Sequence, residues 1–217
     1  MSEIFELIQA GELAAVQEIV ASDPNAIRAK SAEALSPLVV AAYWGQTEIV
    51  EYLRPLAADL DFWEACIVGD AERVHAILAN MPEMSTAYSP DGFTGLHLAV
   101  FFGWPDIATF LINAGANVLT RTTNALDNQP IHAAVAGIRA EVRLASTEAL
   151  VMAGAAVNER QSGGFTPLMS AAQNGDTEVA RLLLAHGADR SLRDDEGRSA
   201  ADHARTAGHA EMAGLLA

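Results

Sequence analysis

Glycine recurs along this chain at a nearly constant spacing, and that recurrence limits the possible folds more than any other feature of the sequence. Successive members of the series lie 34, 24, 34, 34, 38 and 33 residues apart: Gly11, Gly45, Gly69, Gly103, Gly137, Gly175 and Gly208. A period of about 20–50 residues is typical of architectures in which one small unit is repeated and stacked. We therefore expect a repeat protein.

The residues that surround these glycines recur as well. Apolar and small residues fall at matching positions in TGLHLAVFFGWPDIATFLINAGANV (94–118), TPLMSAAQNGDTEVARLLLAHGADR (166–190) and SPLVVAAYWGQTEIVEYLRPLAADL (36–60). The recurring T-P-L-H-like start, central glycine and Gly-Ala-Asp/Asn ending resemble the ankyrin repeat, whose unit is a turn followed by two antiparallel helices. The resemblance covers essentially the whole chain.

This resemblance implies an all-α solenoid of stacked helix-turn-helix units with short finger turns. One repeat cannot bury its apolar face alone, so stacking has to supply the core. We expect a single ankyrin-repeat domain over residues 1–217. Its units are an N-terminal cap at about 2–31, five full units at about 32–60, 61–89, 90–122, 123–160 and 161–193, and a C-terminal cap at about 194–217.

Local sequence signals agree with paired helices. A hydroxyl side chain that can cap the first helix occurs in four units, at Ser36, Thr94, Thr166 and Ser199. Pro37 and Pro167 follow directly, at the first helical position, where a missing N–H group has no cost. The mid-repeat glycine suits a helix end that needs a positive φ angle.

Three features depart from the repeat pattern. The junction between Gly45 and Gly69 is about ten residues short, so we expect the finger turn to be missing there and Pro55 to end the second helix early. The fifth unit carries about five extra residues, roughly 138–142, which we expect to enlarge the turn between its helices. Trp63 and Trp104 replace histidines that are common in the family.

Charge and composition exclude several classes of partner. The net charge is −15, from 28 acidic and 13 basic residues, and an acidic surface repels nucleic-acid phosphates.

The chain start lacks a basic segment followed by a long apolar one, so we expect no signal peptide and a cytoplasmic protein. Residues 93–112 are as long as a membrane span, but Gly103 and Pro105 divide them into two short helices, and we expect no membrane contact.

Candidate catalytic and metal-binding residues are few. His97 and His132 occupy the histidine place of the T-P-L-H signature, where the resemblance implies hydrogen bonds to neighbouring turns. Cys66, the single cysteine, falls at a position typical of a small buried residue. The histidines lack zinc-like spacing, and phosphate-loop and nucleophile-elbow motifs are missing. We therefore expect no metal, no cofactor and no enzymatic activity.

A protein-binding surface is the better hypothesis. In ankyrin folds the first helices and finger turns form a concave groove, and the two residues before each mid-repeat glycine point toward it. Large aromatic residues are typical binding hot spots. The candidate protein-binding residues are Tyr43, Trp44, Ile67, Val68, Phe93, Phe101, Phe102, Trp104 and Phe165. Acidic residues Glu33, Glu64 and Asp91 frame them.

Three interpretations of these residues stay open. They could form a groove, in repeats two to four, that holds a partner protein with a basic or amphipathic face. They could instead mediate self-association, which makes the chain a homodimeric scaffold; we expect a monomer or a weak homodimer. Finally, several rings could turn inward and fill the space that the missing finger leaves.

Overall fold

The computed structural model describes residues 3–32, 35–57 and 59–217. The chain forms two compact units, residues 1–73 and 74–217. Helices of the first unit are α1 (Glu3–Ala10), α2 (Leu13–Ser22), α3 (Pro37–Tyr43), α4 (Thr47–Leu53) and α5 (Phe62–Val68), and α6 (Ala71–Asn80) crosses the boundary. The second unit contains α7 (Gly95–Phe101), α8 (Pro105–Asn113), α9 (Pro130–Val135), α10 (Ala140–Met152), α11 (Pro167–Asn174), α12 (Thr177–Ala185), α13 (Ala200–Thr206) and α14 (Ala210–Leu216).

Helices pair and stack within each unit. In the first unit α1 packs on α3 and α3 on α5, while α2 and α4 pack behind them. In the second unit the first-helix row runs α7, α9, α11 and α13, and α8, α10 and α12 form the second row. The fourteen helices of the described residues make seven pairs, so the predicted all-α ankyrin-type fold is confirmed. The single domain over 1–217 and its unit boundaries stay predictions.

Helix starts follow the predicted capping chemistry at three of four positions. The side chains of Ser36, Thr166 and Ser199 accept hydrogen bonds from the backbone N–H three residues later. Pro37 and Pro167 begin α3 and α11. Thr94 differs because its hydroxyl lies 2.8 Å from Nδ1 of His97 instead.

The mid-repeat glycines have positive φ with one exception. The φ angles of the other six lie between 66° and 84°, a region that glycine enters without a steric penalty. Gly137 is different: a Cβ atom at this position would lie 3.1 Å from the carbonyl oxygen of Phe101 and 3.2 Å from that of Val100. Close approach of α9 to α7, rather than backbone conformation, explains this glycine.

The junction after α4 is short, as the sequence predicts. Helix α4 ends at Leu53, a single 3₁₀ turn follows at Arg54–Leu56, and α5 begins at Phe62. Pro55 lies inside that 3₁₀ turn, where its ring prevents α4 from continuing. In the second unit, isolated bridges at two finger turns pair Tyr88 with Thr94 and Arg193 with Ser199.

The extra residues of the fifth unit lengthen a helix, which corrects the sequence prediction of an enlarged turn. Helix α10 has 13 residues, whereas α8 and α12 have nine each. The turn before it comprises only residues 136–139, and Ala140–Val142 form the first turn of the helix. Sequence spacing gives the length of the insertion but not its position, and this explains the difference.

Helices α7 and α8 divide the apolar stretch 93–112, as predicted, with α8 beginning at Pro105. Across the described ranges, no helix is both long enough and apolar enough to span a bilayer.

Candidate protein-binding surface

The first unit contains four of the candidate residues, and they differ sharply in exposure. Trp44 is 57% exposed and Tyr43 is 39% exposed, at the end of α3. Ile67 and Val68, at the end of α5, are buried among core side chains. The burial of Ile67 and Val68 leaves little of either side chain for a partner to contact, so the exposed aromatic surface of this unit comes from Tyr43 and Trp44.

In the second unit, internal contacts engage the candidate rings. Phe102 is only 2% exposed, and its ring packs edge-on against Phe101 with a centroid distance of 5.2 Å. Phe93 and Phe165 are half-buried and pack edge-on against His97 and His203 at 6.2 Å and 4.6 Å. The burial of Phe102 agrees with the hypothesis that some rings turn inward. Phe102 is buried by packing within its own unit, not by filling the space of the missing finger.

Trp104 is half-buried beneath an arginine that sequence reasoning missed. The guanidinium carbon of Arg139 lies 4.8 Å from the centre of the Trp104 ring, a cation–π arrangement, and Arg139 Nη1 donates a 3.0 Å hydrogen bond to the carbonyl of Gly103. Arg139 directly precedes α10. The pair forms because the turn before α10 packs over the turn between α7 and α8. This contact joins separate repeats, so the sequence around either residue does not predict it.

Trp44 and Phe102 occupy the same register, yet one is exposed and the other buried. Each directly precedes a mid-repeat glycine and caps the end of a first helix. A Cβ atom on Gly103 would meet Val142 and Arg139 within 3 Å, so α10 and its preceding turn cover the Phe102 corner. A Cβ atom on Gly45 would meet no described atom within 4 Å. The corner at Trp44 is therefore open.

An apolar cleft of about 280 Å³ opens beside Trp44, between α1 and α3. We call it the Trp44 cleft. Its lining includes the buried side chains of Phe5 and Val40, the half-buried Leu35, and the exposed rings of Tyr43 and Trp44. Phe5 was not among the sequence candidates. Its apolar periodicity in α1 indicates burial, and periodicity alone cannot show that a buried ring also faces a cleft.

The acidic residues named from the sequence have different environments. Glu64 is half-buried, accepts a hydrogen bond from the backbone N–H of Asp61, and lies 3.6 Å from Lys30. Asp91 is exposed and accepts a hydrogen bond from the Ser89 hydroxyl. Glu33 lies outside the described residues.

His97 and His132 tie neighbouring finger turns together, as the ankyrin resemblance implies. Nε2 of His97 lies 3.2 Å from the carbonyl oxygen of Asn128, and Nε2 of His132 lies 3.0 Å from that of Glu159. Since a carbonyl oxygen can only accept, Nε2 carries the proton and Nδ1 is the acceptor. Burial lowers the pKa of His97 to about 4 and also lowers the pKa of His132, so both rings are neutral structural elements.

The remaining candidate chemical groups have internal partners or are buried. Burial raises the pKa of the Cys66 thiol, with a further contribution from the charge of Asp61. His203 donates a 2.8 Å hydrogen bond to the Asp194 carboxylate, and the His75 ring lies against Phe110. In the part of the chain that the structure describes, no three His, Cys, Asp or Glu side chains converge as metal ligands.

Comparison with known proteins agrees with this architecture. A family model of ankyrin repeats in three copies matches residues 143–217, and a single ankyrin-repeat model matches residues 91–123. The chain is 30% identical over 204 residues to a probable 26S proteasome regulatory subunit p28 of Saccharomyces cerevisiae, and the match covers 86% of each protein.

Two larger proteins match this chain over only a small part of their own length. Human neurogenic locus notch homolog protein 4 is 35% identical over 183 residues, which are 84% of this chain but 8% of that protein. Rat ankyrin repeat and SAM domain-containing protein 6 is 28% identical over 122 residues, which are 56% of this chain and 11% of that protein. From the paired helices, the finger-turn histidines and the extended match to the yeast protein, we conclude that this chain belongs to the ankyrin-repeat family.

Proposed function

We propose that this chain is a non-enzymatic protein-interaction module that binds a partner protein through first-helix aromatic residues. The observation that carries the proposal is the 57% exposure of Trp44, in a register where Val68 and Phe102 are buried. A large exposed aromatic side chain is unfavourable in water and gains most from burial against a partner. Membership of a repeat family with stacked, surface-forming helices supports an interaction role.

Charge suggests the kind of partner. Residues 1–73 carry thirteen acidic and four basic residues, a net charge of −9. A field of this sign raises the association rate of a positively charged partner and disfavours acidic ones. We therefore propose a partner with a basic or amphipathic face, and a cytoplasmic setting for the interaction.

We propose that the binding surface includes residues of the groove predicted for repeats two to four. Four of its nine candidate residues belong to the first unit and five to the second. Tyr43 and Trp44 are the most exposed of them, and we place the main contact there. The half-buried rings of Phe93, Phe101, Trp104 and Phe165 would add only their exposed edges.

Affinity capture from the native cell extract tests this proposal. The parent chain and a Trp44→Ser variant are immobilised side by side, with Met152→Ser as the matched control, since Met152 is exposed in the second unit. We expect the parent and the control to retain the same protein and Trp44→Ser to lose most of it. Failure of the parent to retain any protein above background would contradict an interaction role.

A second, narrower candidate function comes from the yeast relative, whose name describes a probable regulatory subunit of the 26S proteasome. The match extends over 86% of both proteins rather than over a few shared repeats. We propose a proteasome subunit as one specific candidate for the partner. Purified 26S proteasome and its separated subunits can be passed over the immobilised chain. We expect the chain to retain the proteasome and the partner subunit. Flow-through of every subunit would exclude this candidate alone.

Self-association remains the alternative hypothesis. Light scattering over a range of concentrations distinguishes self-association from binding of another protein. A chain that stays monomeric at high concentration favours a partner other than a second copy. Mutual repulsion between two copies, each with a net charge of −15, opposes a homodimer at low ionic strength.

A further inference from the structure

We propose that the Trp44 cleft receives one large apolar side chain from a basic segment of the partner protein. This inference rests on the proposed interaction function and names the chemistry that the first unit would recognise. Four features of the first unit support it: the size of the cleft, the way its walls are held, the open corner at Trp44, and the distribution of acidic residues.

The size of the cleft suits a side chain. Sites for drug-sized molecules typically measure roughly 300–1,000 Å³, whereas a dry cavity of about 150 Å³ is large enough for a benzene ring. At about 280 Å³ and open to solvent, the Trp44 cleft has room for one aromatic or long aliphatic side chain. Phe5 and Val40 are buried yet line the cleft, so they form an apolar floor against which such a side chain would pack.

The walls of the cleft are held by hydrogen bonds. The amide nitrogen of Gln46 donates a 3.3 Å hydrogen bond to the backbone carbonyl of Gln9, which joins the ends of α1 and α3. Leu35, on the finger side, is fixed by reciprocal bonds with Ser31: its carbonyl accepts from the Ser31 N–H at 2.9 Å, and its N–H donates to the Ser31 hydroxyl at 3.3 Å. A site held in this way loses little conformational freedom when it is occupied.

The acidic residues of the first unit determine the preferred charge of the ligand. Val40, on the floor of the cleft, lies five residues before Gly45. The equivalent positions on the neighbouring helices α1 and α5 are Glu6, five residues before Gly11, and Glu64, five residues before Gly69. Glu6 directly follows Phe5 on α1, which forms one wall of the cleft, whereas Glu64 lies on α5, away from the cleft, and is paired with Lys30. Glu6 is exposed, and no described Arg, Lys or His comes within ion-pair distance of it.

This arrangement favours an apolar residue with Lys or Arg next to it in the partner. The apolar side chain would enter between Trp44 and Phe5, and its basic neighbour would meet the exposed Glu6 on α1. A second copy of this chain is a poorer occupant, because residues 1–73 alone carry a net charge of −9. An acidic peptide would be repelled for the same reason.

Selection from a library of short random peptides, displayed on phage and panned against the immobilised full chain, tests the inference. We expect the enriched peptides to carry a net positive charge and one Trp, Phe, Leu or Met next to a basic residue. A synthetic consensus peptide should bind Trp44→Ser about tenfold or more weakly than the parent. Glu6→Gln should weaken it about twofold to fivefold and reduce its dependence on salt.

Controls separate this inference from the broader proposal. Met152→Ser should bind the consensus peptide like the parent, and circular dichroism should show that Trp44→Ser and Glu6→Gln are folded. Enrichment of acidic peptides, no enrichment, or equal binding by Trp44→Ser would overturn the cleft inference. So would a homodimer, detected by light scattering, that Trp44→Ser abolishes. If Trp44→Ser still captures the parent's partner from extract, a general interaction role stands, whereas the cleft and the placement of the main contact at Trp44 are both excluded.

Discussion

Arg143 on α10 and Asp176 at the start of α12 form an ion pair of 2.8 Å that joins the fifth and sixth repeats. Both side chains are at least four-fifths buried, and Arg143 Nε also donates a 2.6 Å hydrogen bond to the carbonyl of Gly137. One guanidinium thus connects the end of α9, the start of α10 and the turn before α12. The contact depends on the register of the lengthened helix α10.

Removing one partner of this pair should destabilise the second unit. We expect Arg143→Gln or Asp176→Asn to lower the free energy of unfolding by about 1–3 kcal/mol, because each leaves a largely buried charged group without its oppositely charged partner. Urea denaturation of both single variants and the double variant gives the coupling energy. A coupling near zero would show that the ion pair contributes nothing.

Ser146 offers a stabilising substitution. It is fully buried in α10, its hydroxyl lacks a hydrogen-bond partner, and the same register holds Ile107 in α8 and Val179 in α12. Ser146→Val should raise the free energy of unfolding by about 1 kcal/mol, because it adds buried apolar surface and removes an unsatisfied hydroxyl. Ala145→Val, at an exposed position on the same helix, is the matched control and should give no gain. A loss of stability in Ser146→Val would mean that the hydroxyl is satisfied in solution.

Acidification should destabilise the second unit through His97. The imidazole of an unfolded chain titrates near 6.5, whereas burial lowers the pKa of His97 to about 4. Between these two values the unfolded state binds more protons than the folded state. The contribution of the neutral His97 ring to the free energy of unfolding is therefore complete above pH 6.5 and declines as the pH falls toward 4. The full difference corresponds to about 3 kcal/mol.

Urea denaturation at about pH 7.5 and about pH 5 measures this effect. His97→Gln removes the titrating group. Between the two pH values, its free energy of unfolding should fall by about 2 kcal/mol less than that of the parent. Other titrating groups contribute to both proteins and cancel in the comparison. An equal loss in the parent and in His97→Gln would show that this imidazole does not carry the pH dependence.

Cys66 should report on opening of the first unit. Its side chain is fully buried in α5, and burial raises the pKa of the thiol, so a thiol reagent can react only after the structure opens. We expect labelling in native buffer to be about 100-fold slower than in denaturant, or slower still. The same rate in both conditions would contradict the buried placement of Cys66.

Much of the fold follows from local signals in the sequence, because a repeat unit is defined by short-range rules. The glycine series, the hydroxyl caps and Pro55 each act within a few residues. The predicted consequence is found in the described residues for six of the seven glycines, for three of the four hydroxyls and for Pro55. The roles of His97 and His132 followed from the family resemblance, and their hydrogen bonds to the next turns confirm them.

The candidate surface was harder to predict because exposure is decided by neighbouring repeats. Trp44 and Phe102 share a register and a helix-end conformation. They differ because α10 and the turn that precedes it cover the Phe102 corner. The stacking of Arg139 on Trp104 has the same origin. Periodicity assigns a side chain to a helix face, but it does not show what the next unit places over that face.

The fluorescence of Trp44 in the presence of a bound partner tests the central claim most directly. Trp63→Phe and Trp104→Phe leave Trp44 as the single tryptophan of the three in the chain. In the free protein we expect strong quenching by acrylamide, because the ring is 57% exposed. When the captured partner is added, emission should shift to shorter wavelength and quenching should fall. An unchanged spectrum and unchanged quenching, with the partner shown to be bound by sedimentation, would contradict the account.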